Sequence, residues 1–290
     1  MSIKELIKNT SIFKNYRKRQ IETNLNHFLS KTYKKVVGRE LNLENPQTYT
    51  EKIQWKKIFD HNPLYTKCAD KISVRDYVAE KLDTTTQDET FFTHWYGIWD
   101  KADDIDWDSL PDKFILKTNH ASGQNIIVTD KNKANRSKIT KQIDEWLHTN
   151  HYYLAAEWQY KNIKPKVFAE ELLSDEILDY RVFCFKGEPE FIWTTRLVDH
   201  VYYSSTYDKN WKNINIKWQN WYVDEEHEKP EQLDRILDIA RKLSTDFDMV
   251  RVDLFNVNGK VYFSELTFTQ NGGFEQNLPY EWDIKMGKMM

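Results

Sequence analysis

The chain has 290 residues, with 42 basic against 45 acidic side chains and a formal net charge of −3. That near balance excludes a partner recognised by bulk charge, nucleic acid above all. Hydrophobic residues at 40% and charged residues at 30% are the make-up of a globular domain, and 11 Trp, 16 Tyr and 15 Phe supply a large apolar core.

The two cysteines, Cys68 and Cys184, sit in unrelated contexts and form neither a disulfide framework nor a metal cluster. Cys184, inside DYRVFCFKG, reads as a buried strand residue. No secretory apolar segment and no run of about 18 apolar residues occurs, which predicts a cytoplasmic protein. The start is basic, with Lys4, Lys8, Lys14, Arg17, Lys18 and Arg19 against few acids. Such a face suits peripheral contact with the inner membrane surface, although solvation is the plainer use.

Residues 1–60 read as helices, because IKELIKN (3–9) and IETNLNHFL (21–29) space apolar residues three and four apart. In TYTEKIQWKKIFD (48–60), Thr48 or Thr50 ahead of Glu51 predicts a capped helix start. CADKISVRDYVAEKL (68–82) predicts a further amphipathic helix. FILKTNHASGQNIIV (114–128) then sets two apolar runs either side of Lys117–Asn125, a polar stretch far longer than a hairpin needs. SKITKQIDEWLHTNHYYLAAEWQY (137–160) predicts a long helix, and KVFAEELL (166–173) a short strand before the acidic turn SDEI. DYRVFCFKGEPEFIWTTRLV (179–198) predicts a hairpin turning at Lys186–Pro189, and EQLDRILDIARKLSTDF (231–247) a helix. MVRVDLFNVNGKVYFSELTF (249–268) predicts a second hairpin turning at Asn258-Gly259. Helices first, then antiparallel hairpins separated by helices, predict an α+β fold.

Three clusters carry chemistry. Asp253 and Glu265 flank the last turn so that 253 falls opposite 264 or 265, and two carboxylates converge among apolar strand residues. Mg²⁺ takes one or two carboxylates and completes its shell with water and phosphate oxygens, while a cross-strand pair with Arg251 or Lys260 is the competing reading. Lys117 followed by a small polar loop offers a point charge and backbone N–H groups to polyphosphate, without the Gly-Lys-Ser/Thr of a Walker loop. Glu170, Glu171 and Asp179 could accept from an amino group and a ribose, or stand as solvated edge charges. The aromatic residues Trp193, Tyr202, Tyr203, Trp211, Trp218, Trp221 and Tyr222 suit stacking on sugar rings or, more plainly, packing.

The order of DKISVRDYV (70–78), LPDKFILKTNHASGQNIIV (110–128), FAEELL (168–173), LDYRVFCFKGEPEFI (178–192), VRVDLFNVNGKVYFSELTFTQNGGF (250–274) and EWD (281–283) resembles the TupA-like branch of the ATP-grasp proteins. The resemblance implies an ATP-grasp fold of two α+β lobes with mainly antiparallel sheets holding nucleotide between them, behind an N-terminal helical region. The implied division is 1–88 helical, 89–165 a small lobe with the phosphate lid, and 166–290 a large lobe with the metal hairpin.

It further implies that Lys71 and Lys117 contact phosphates and that the loop with His120, Ser122 and Gly123 closes over them. Glu170, Glu171 and Leu172 would meet adenine, and Asp179 the ribose. Asp253 and Glu265 would hold Mg²⁺. Arg251 would face the reacting carboxylate, and Arg196 a phosphate. The family usually has Asn two residues after the metal Glu; here that position is Thr267, so Thr267 or Asn271 or Gln270 would complete the shell.

The implied activity is carboxylate activation by ATP through an acyl phosphate that an amine then opens. The implied partners are a polysaccharide or nucleotide- or lipid-linked sugar precursor bearing a uronic acid, and an amino acid or amine donor. A glycan kinase on the same machinery, a non-catalytic glycan- or nucleotide-binding protein, and a glycosyltransferase are the alternatives.

Overall fold

Two sheets with facing surfaces carry the strands of the computed structural model, which describes residues 11–174, 177–199, 201–216 and 221–290. The helix expected over 3–9 with Lys4 and Lys8, part of the SDEI turn, and Trp218 lie outside the described residues. The smaller sheet is fully antiparallel, in the order β1 (Trp95–Trp99), β4 (Val167–Glu170), β2 (Phe114–Thr118), β3 (Asn125–Val128). Alternation divides its faces. Phe114, Leu116, Val167 and Ala169 are buried in one core with Ile143 of α6 (Arg136–Leu147), whereas Ile115, Lys117, Phe168 and Glu170 line the cleft on the other side.

The larger sheet runs β10 (Lys260–Thr267), β9 (Met249–Val257), β5 (Asp179–Phe185), β6 (Glu188–Val198), β7 (Val201–Asp208), β8 (Tyr222–Val223), and only its last pair is parallel. Tyr180, Val182, Cys184, Val250, Val252 and Leu254 share a core with α8 (Leu233–Ser244), α4 (Pro63–Ala69) and α5 (Val74–Leu82). On the opposite face, Phe183, Phe185, Phe191, Trp193 and Met249 pack beneath α3 (Tyr49–Phe59) and α9 (Tyr280–Met289). The rest of that face, with Asp179, Arg181, Asp253 and Glu265, stays open toward the smaller sheet.

Local chemistry sets the helix that fixes this arrangement. Thr48 and Glu51 form the expected capping box at the start of α3. Asp283 of the EWD segment is fully buried and accepts from the Thr50 N–H (2.8 Å) and hydroxyl (2.7 Å) and from Arg39, so it locks α9 onto α3.

Several boundaries differ from the sequence reading, each for a tertiary reason. Residues 21–29 fall in two helices, α1 (Ser11–Thr23) and α2 (Leu25–Val37), because the Asn24 side chain caps the second. The helix expected over 68–82 breaks into α4 and α5, and Lys71 lies in the turn between them. Asn119 reaches that turn, donating to Asp70 (2.9 Å), while the Lys71 N–H donates to Asn119 O (3.1 Å). The helix expected over 137–160 ends at Leu147 and resumes as α7 (Tyr152–Ala155) and a 3-10 turn over Trp158–Tyr160. Strand β4 hydrogen-bonds to β1 and β2, so the division at 166 assigns it to the wrong sheet. Within the helical stretch up to residue 88, α4 and α5 contribute Tyr65, Cys68, Val74, Tyr77 and Val78 to the core under the large sheet.

Candidate active site

A cleft of about 390 Å³ separates the inner faces of the two sheets. The last hairpin builds its floor. Asn258 and Gly259 both take positive φ (52° and 77°), and the strands pair Tyr262 with Phe255 on leaving the turn. A register shift between Phe263 and Glu265 then inserts one residue, after which Glu265 pairs with Asp253 and Thr267 with Arg251. The bulge is what brings both carboxylates to the cleft face. Next to them, the register of β5 on β9 sets Arg181 beside Asp253 and Asp179 beside Phe255.

Charge is concentrated here. Arg251, 4% exposed, grips Asp253 with Nε (2.6 Å) and Nη2, and also donates to Thr267 Oγ1 (3.0 Å) and Glu265 Oε1 (3.4 Å). Thr267 in turn donates to Glu265 Oε1 at 3.1 Å. Burial pushes the Asp253 carboxyl up to about 6 against the pull of Arg251. Burial opposes ionisation of Glu265 too, but Lys71, Arg251 and Arg181 overcome it and hold that carboxyl down to about 2.

The lid is anchored to the same centre. Lys117 pairs with Asn125 across β2 and β3, and the turn between them rests on Thr118 Oγ1 donating to Gln124 Oε1 (2.6 Å). Its tip, Ala121 to Gly123, lines the cleft. The Lys71 ammonium donates to Ala121 O (2.6 Å) and lies 3.6 Å from Glu265 Oε2, tying loop to hairpin. Lys117 is ion-paired with Glu170, whose second oxygen accepts from Thr93 Oγ1 at 2.9 Å.

Of the residues singled out in the sequence, Lys71, Lys117, Ser122, Gly123, Glu170, Leu172, Asp179, Arg196, Asp253 and Glu265 line this cleft, with Thr267 bonded beneath it. Arg196 is held at the rim by a fork of bonds to Asp224 (2.7–3.0 Å). His120 is directed elsewhere: it is buried, and its Nε2 meets Trp146 O and Thr149 O at 3.2 and 3.1 Å. Burial lowers its pKa, so it is a neutral structural imidazole. Glu171 donates its N–H to His94 O, and its charge is felt by Tyr96 outside the cleft. Asn271 spends its amide on both oxygens of Glu275 at 3.0 Å, which removes it from the Asp253–Glu265 pair.

Arg181 escaped the sequence reading. It lines the cleft, donates to Asp179 at 2.8 Å, and lies over Trp193 and Trp221 at 5.3 and 5.6 Å. The signal was its shared parity with Asp179. The aromatic cluster is divided: Trp193 is fully buried, Trp221 stacks on Trp193 (4.9 Å) and Tyr202 (4.6 Å), and Tyr207 on Trp211 (4.2 Å), whereas Tyr202 lines the cleft and Tyr222 is exposed.

The loop after β10 is pinned from below, because Gln54 Nε2 donates to Gly272 O (3.0 Å) and Gly273 O (2.9 Å) and Lys57 also donates to Gly272 O. Gly273 has φ +71°, and a Cβ there would meet Gln54 and Ile53 at 2.5 Å. Gly273→Ala should therefore lower stability by about 1–3 kcal/mol in urea unfolding.

Among the described residues no group of three or more His, Cys, Asp or Glu closes around a metal. Asp253 and Glu265 with the Thr267 hydroxyl still fit Mg²⁺, which needs no all-protein cage when phosphate oxygens are present. Apolar side chains of Ile115, Ile127, Phe168, Leu172 and Phe255 offer walls for a flat base.

Among solved structures, D-alanine–D-alanine ligase from Bacillus anthracis aligns with TM-score 0.46 and 16% identity over 77% of this chain. L-amino acid ligase from Bacillus licheniformis aligns at 0.45 and 10% over 93%. The chain spans 63% and 57% of those two proteins' lengths. The ATP-grasp ligase PsnB, solved with minimal precursor, Mg and ADP, aligns at 0.38 and 11%, covering 88% of this chain and 65% of PsnB. No curated protein sequence matches the chain significantly. The family model described as TupA-like ATPgrasp matches residues 51–290, nearly all of the site-bearing chain, and on that match the protein belongs to the TupA-like ATP-grasp family.

Proposed function

We propose that the protein is an ATP-dependent carboxylate–amine ligase that joins an amino acid or other amine to a uronic-acid carboxyl of a bacterial cell-surface polysaccharide or its precursor. The observation that carries this reading is the registered Asp253–Glu265 pair, facing Lys117 across the cleft and tied to the lid by Lys71. Polyphosphate needs cations on one side and a carboxylate-held divalent ion on the other, and little covalent help from the protein.

In this reading Lys71 and Lys117 hold phosphate oxygens, and Ala121–Gly123 cover them. The apolar walls and Leu172 flank the base. Asp179 receives the ribose, held in place by Arg181 and by Thr195 at 3.1 Å. Asp253, Glu265 and Thr267 would hold Mg²⁺, which neutralises charge on the transferring phosphoryl group. Arg251, buried beneath the cleft lining, orients Asp253 and Glu265, and Arg196 guards the rim. The step is a carboxylate attack on the γ-phosphorus with loss of ADP; an amine then displaces inorganic phosphate.

Thermal unfolding with ATP and Mg²⁺ tests it. At 100 times the dissociation constant, bound nucleotide should add about 2.7 kcal/mol to stability. The gain should vanish in Glu265→Gln. A wild-type protein that ignores ATP would sink the reading, and phosphate found on a sugar hydroxyl would replace ligation by kinase chemistry.

A further inference from the structure

The register that builds the floor of the cleft also fixes what lies between its two acidic ends. Asp179 and Arg181 share a face of β5, two residues and about 7 Å apart, and β9 sets Phe255 beside Asp179 and Asp253 beside Arg181. With the ribose on Asp179 and Mg²⁺ on Asp253 and Glu265, the phosphates that join them cross Arg181. We propose that Arg181 binds the α- or β-phosphate of the nucleotide and opposes the charge that phosphoryl transfer leaves on ADP; the assignment rests on reading the protein as an ATP-dependent ligase.

The side chain is oriented before any ligand arrives. It lines the cleft, and its guanidinium lies over Trp193 and Trp221 at 5.3 and 5.6 Å, two rings stacked on each other at 4.9 Å. Nη2 donates to Asp179 at 2.8 Å, and Nε stops 4.0 Å short of Asp253 Oδ2. Rings beneath and carboxylates at its edge hold the guanidinium in one plane, which is what positioned binding of an oxyanion requires. Nε is buried without an acceptor. Nη1 also lacks an acceptor among the described residues, but it is not closed off and opens to the cleft. It is the N–H group left for an incoming phosphate oxygen.

The other cations of the cleft stand elsewhere. Lys71 is at the lid, bonded to Ala121 O, and Lys117 projects from the facing sheet onto Glu170. Arg75 lies over Trp95 on the edge strand of the smaller sheet. Arg196 turns its fork on Asp224 (2.7–3.0 Å) and Glu225 (3.1 Å) at the rim, and Arg251 is buried and spent on Asp253. That leaves Arg181 on the floor between ribose and metal, opposite the two lysines. As the acceptor carboxylate oxygen bonds to the γ-phosphorus, the bond from that phosphorus to the β–γ bridging oxygen breaks, and its electron pair stays with ADP. The guanidinium, whose charge already acts on Asp253 and Glu265, meets that developing charge without having to move.

Dissociation constants for adenosine, AMP, ADP and a non-hydrolysable ATP analogue, each with Mg²⁺ and measured by ligand-observed NMR on the full chain, test the assignment. Arg181→Gln should bind adenosine as the wild type does, because Thr195 still holds Asp179 at 3.1 Å. It should bind ADP and the ATP analogue about ten- to a hundredfold more weakly, with the loss first appearing at AMP or ADP. Arg181→Lys keeps the charge and loses the plane, so it should show a smaller loss in the same order. It carries the comparison if Arg181→Gln lacks native near-UV dichroism. An arginine that only positions Asp179 would move adenosine and ADP together. That result, a loss confined to the ATP analogue, or unchanged affinities in both variants would each overturn the proposal. A wild-type protein that ignores ATP would overturn the ligase reading as well, whereas wild-type binding without a phosphate-dependent loss in the variants overturns the role of Arg181 alone.

Discussion

Arg251→Ala should lower the unfolding free energy by about 3–5 kcal/mol, because it strips a buried carboxylate of its only bidentate partner. Asp253 is itself 4% exposed, and its remaining cation is Arg181 at 4.0 Å. The loss should depend on pH, in a direction that can be worked out. A carboxyl whose folded pKa exceeds its unfolded value stabilises fully below the unfolded value, and that contribution is lost as pH rises through the folded one. Asp253 already sits at about 6 with Arg251 present, and removing the guanidinium raises it further. The gap between variant and wild type should thus be widest above pH 7 and narrow toward pH 5. Urea unfolding at several pH values measures it. Replacing both partners, Arg251→Leu with Asp253→Leu, should recover most of the loss, since two apolar side chains leave no orphaned charge. A gap below about 1 kcal/mol, or one indifferent to pH, would mean that Asp253 is better solvated than its burial indicates.

The parts of this fold written in local chemistry could be read from the chain. Asn258-Gly259 supplies two residues tolerant of positive φ, which fixes the turn and hence the approximate partner of Asp253. Thr48 and Glu51 announced the start of α3, and the apolar run around Cys184 announced a buried strand. The last step of the register was not legible. The bulge between Phe263 and Glu265 leaves no mark in the local sequence, yet it sets Glu265 rather than Ser264 opposite Asp253.

What escaped the sequence depended on contacts between distant segments. Apolar spacing carries on from Cys68 to Leu82, and only Asn119, far along the chain, shows why the helix must open around Lys71. His120 reads as part of a phosphate loop until the end of α6 arrives with two carbonyls for its ring. Asn271 follows the metal hairpin closely enough to suggest a ligand, but the left-handed backbone of the loop swings it to Glu275. Strand β4 carries no mark of its sheet, because pairing with β1 and β2 is a matter of topology.

Lys117→Ala should separate what the phosphate lysine does for binding from what it does for folding. Its ammonium now rests on Glu170, in a pair whose side chains are 20% and 9% exposed. An incoming phosphate must compete with that carboxylate, so part of the gross attraction is spent on breaking an existing pair. A charge-assisted contact is worth about 1.5–3 kcal/mol, and its loss should weaken ATP binding about ten- to a hundredfold by titration calorimetry with Mg²⁺ and a non-hydrolysable analogue. Truncation also leaves Glu170 with the Thr93 hydroxyl and the nearby charge of Arg75, costing stability of about 1–3 kcal/mol. Adding Glu170→Gln to Lys117→Ala removes the stranded charge, so stability should return while affinity stays low. Glu170→Gln alone frees the ammonium and should tighten binding of the phosphates. If Glu170 instead grips the base, that single variant would weaken binding and the roles assigned to the two residues would exchange. The sign of its effect therefore decides whether the Lys117–Glu170 pair is a latch that nucleotide opens or a fixed part of the adenine site.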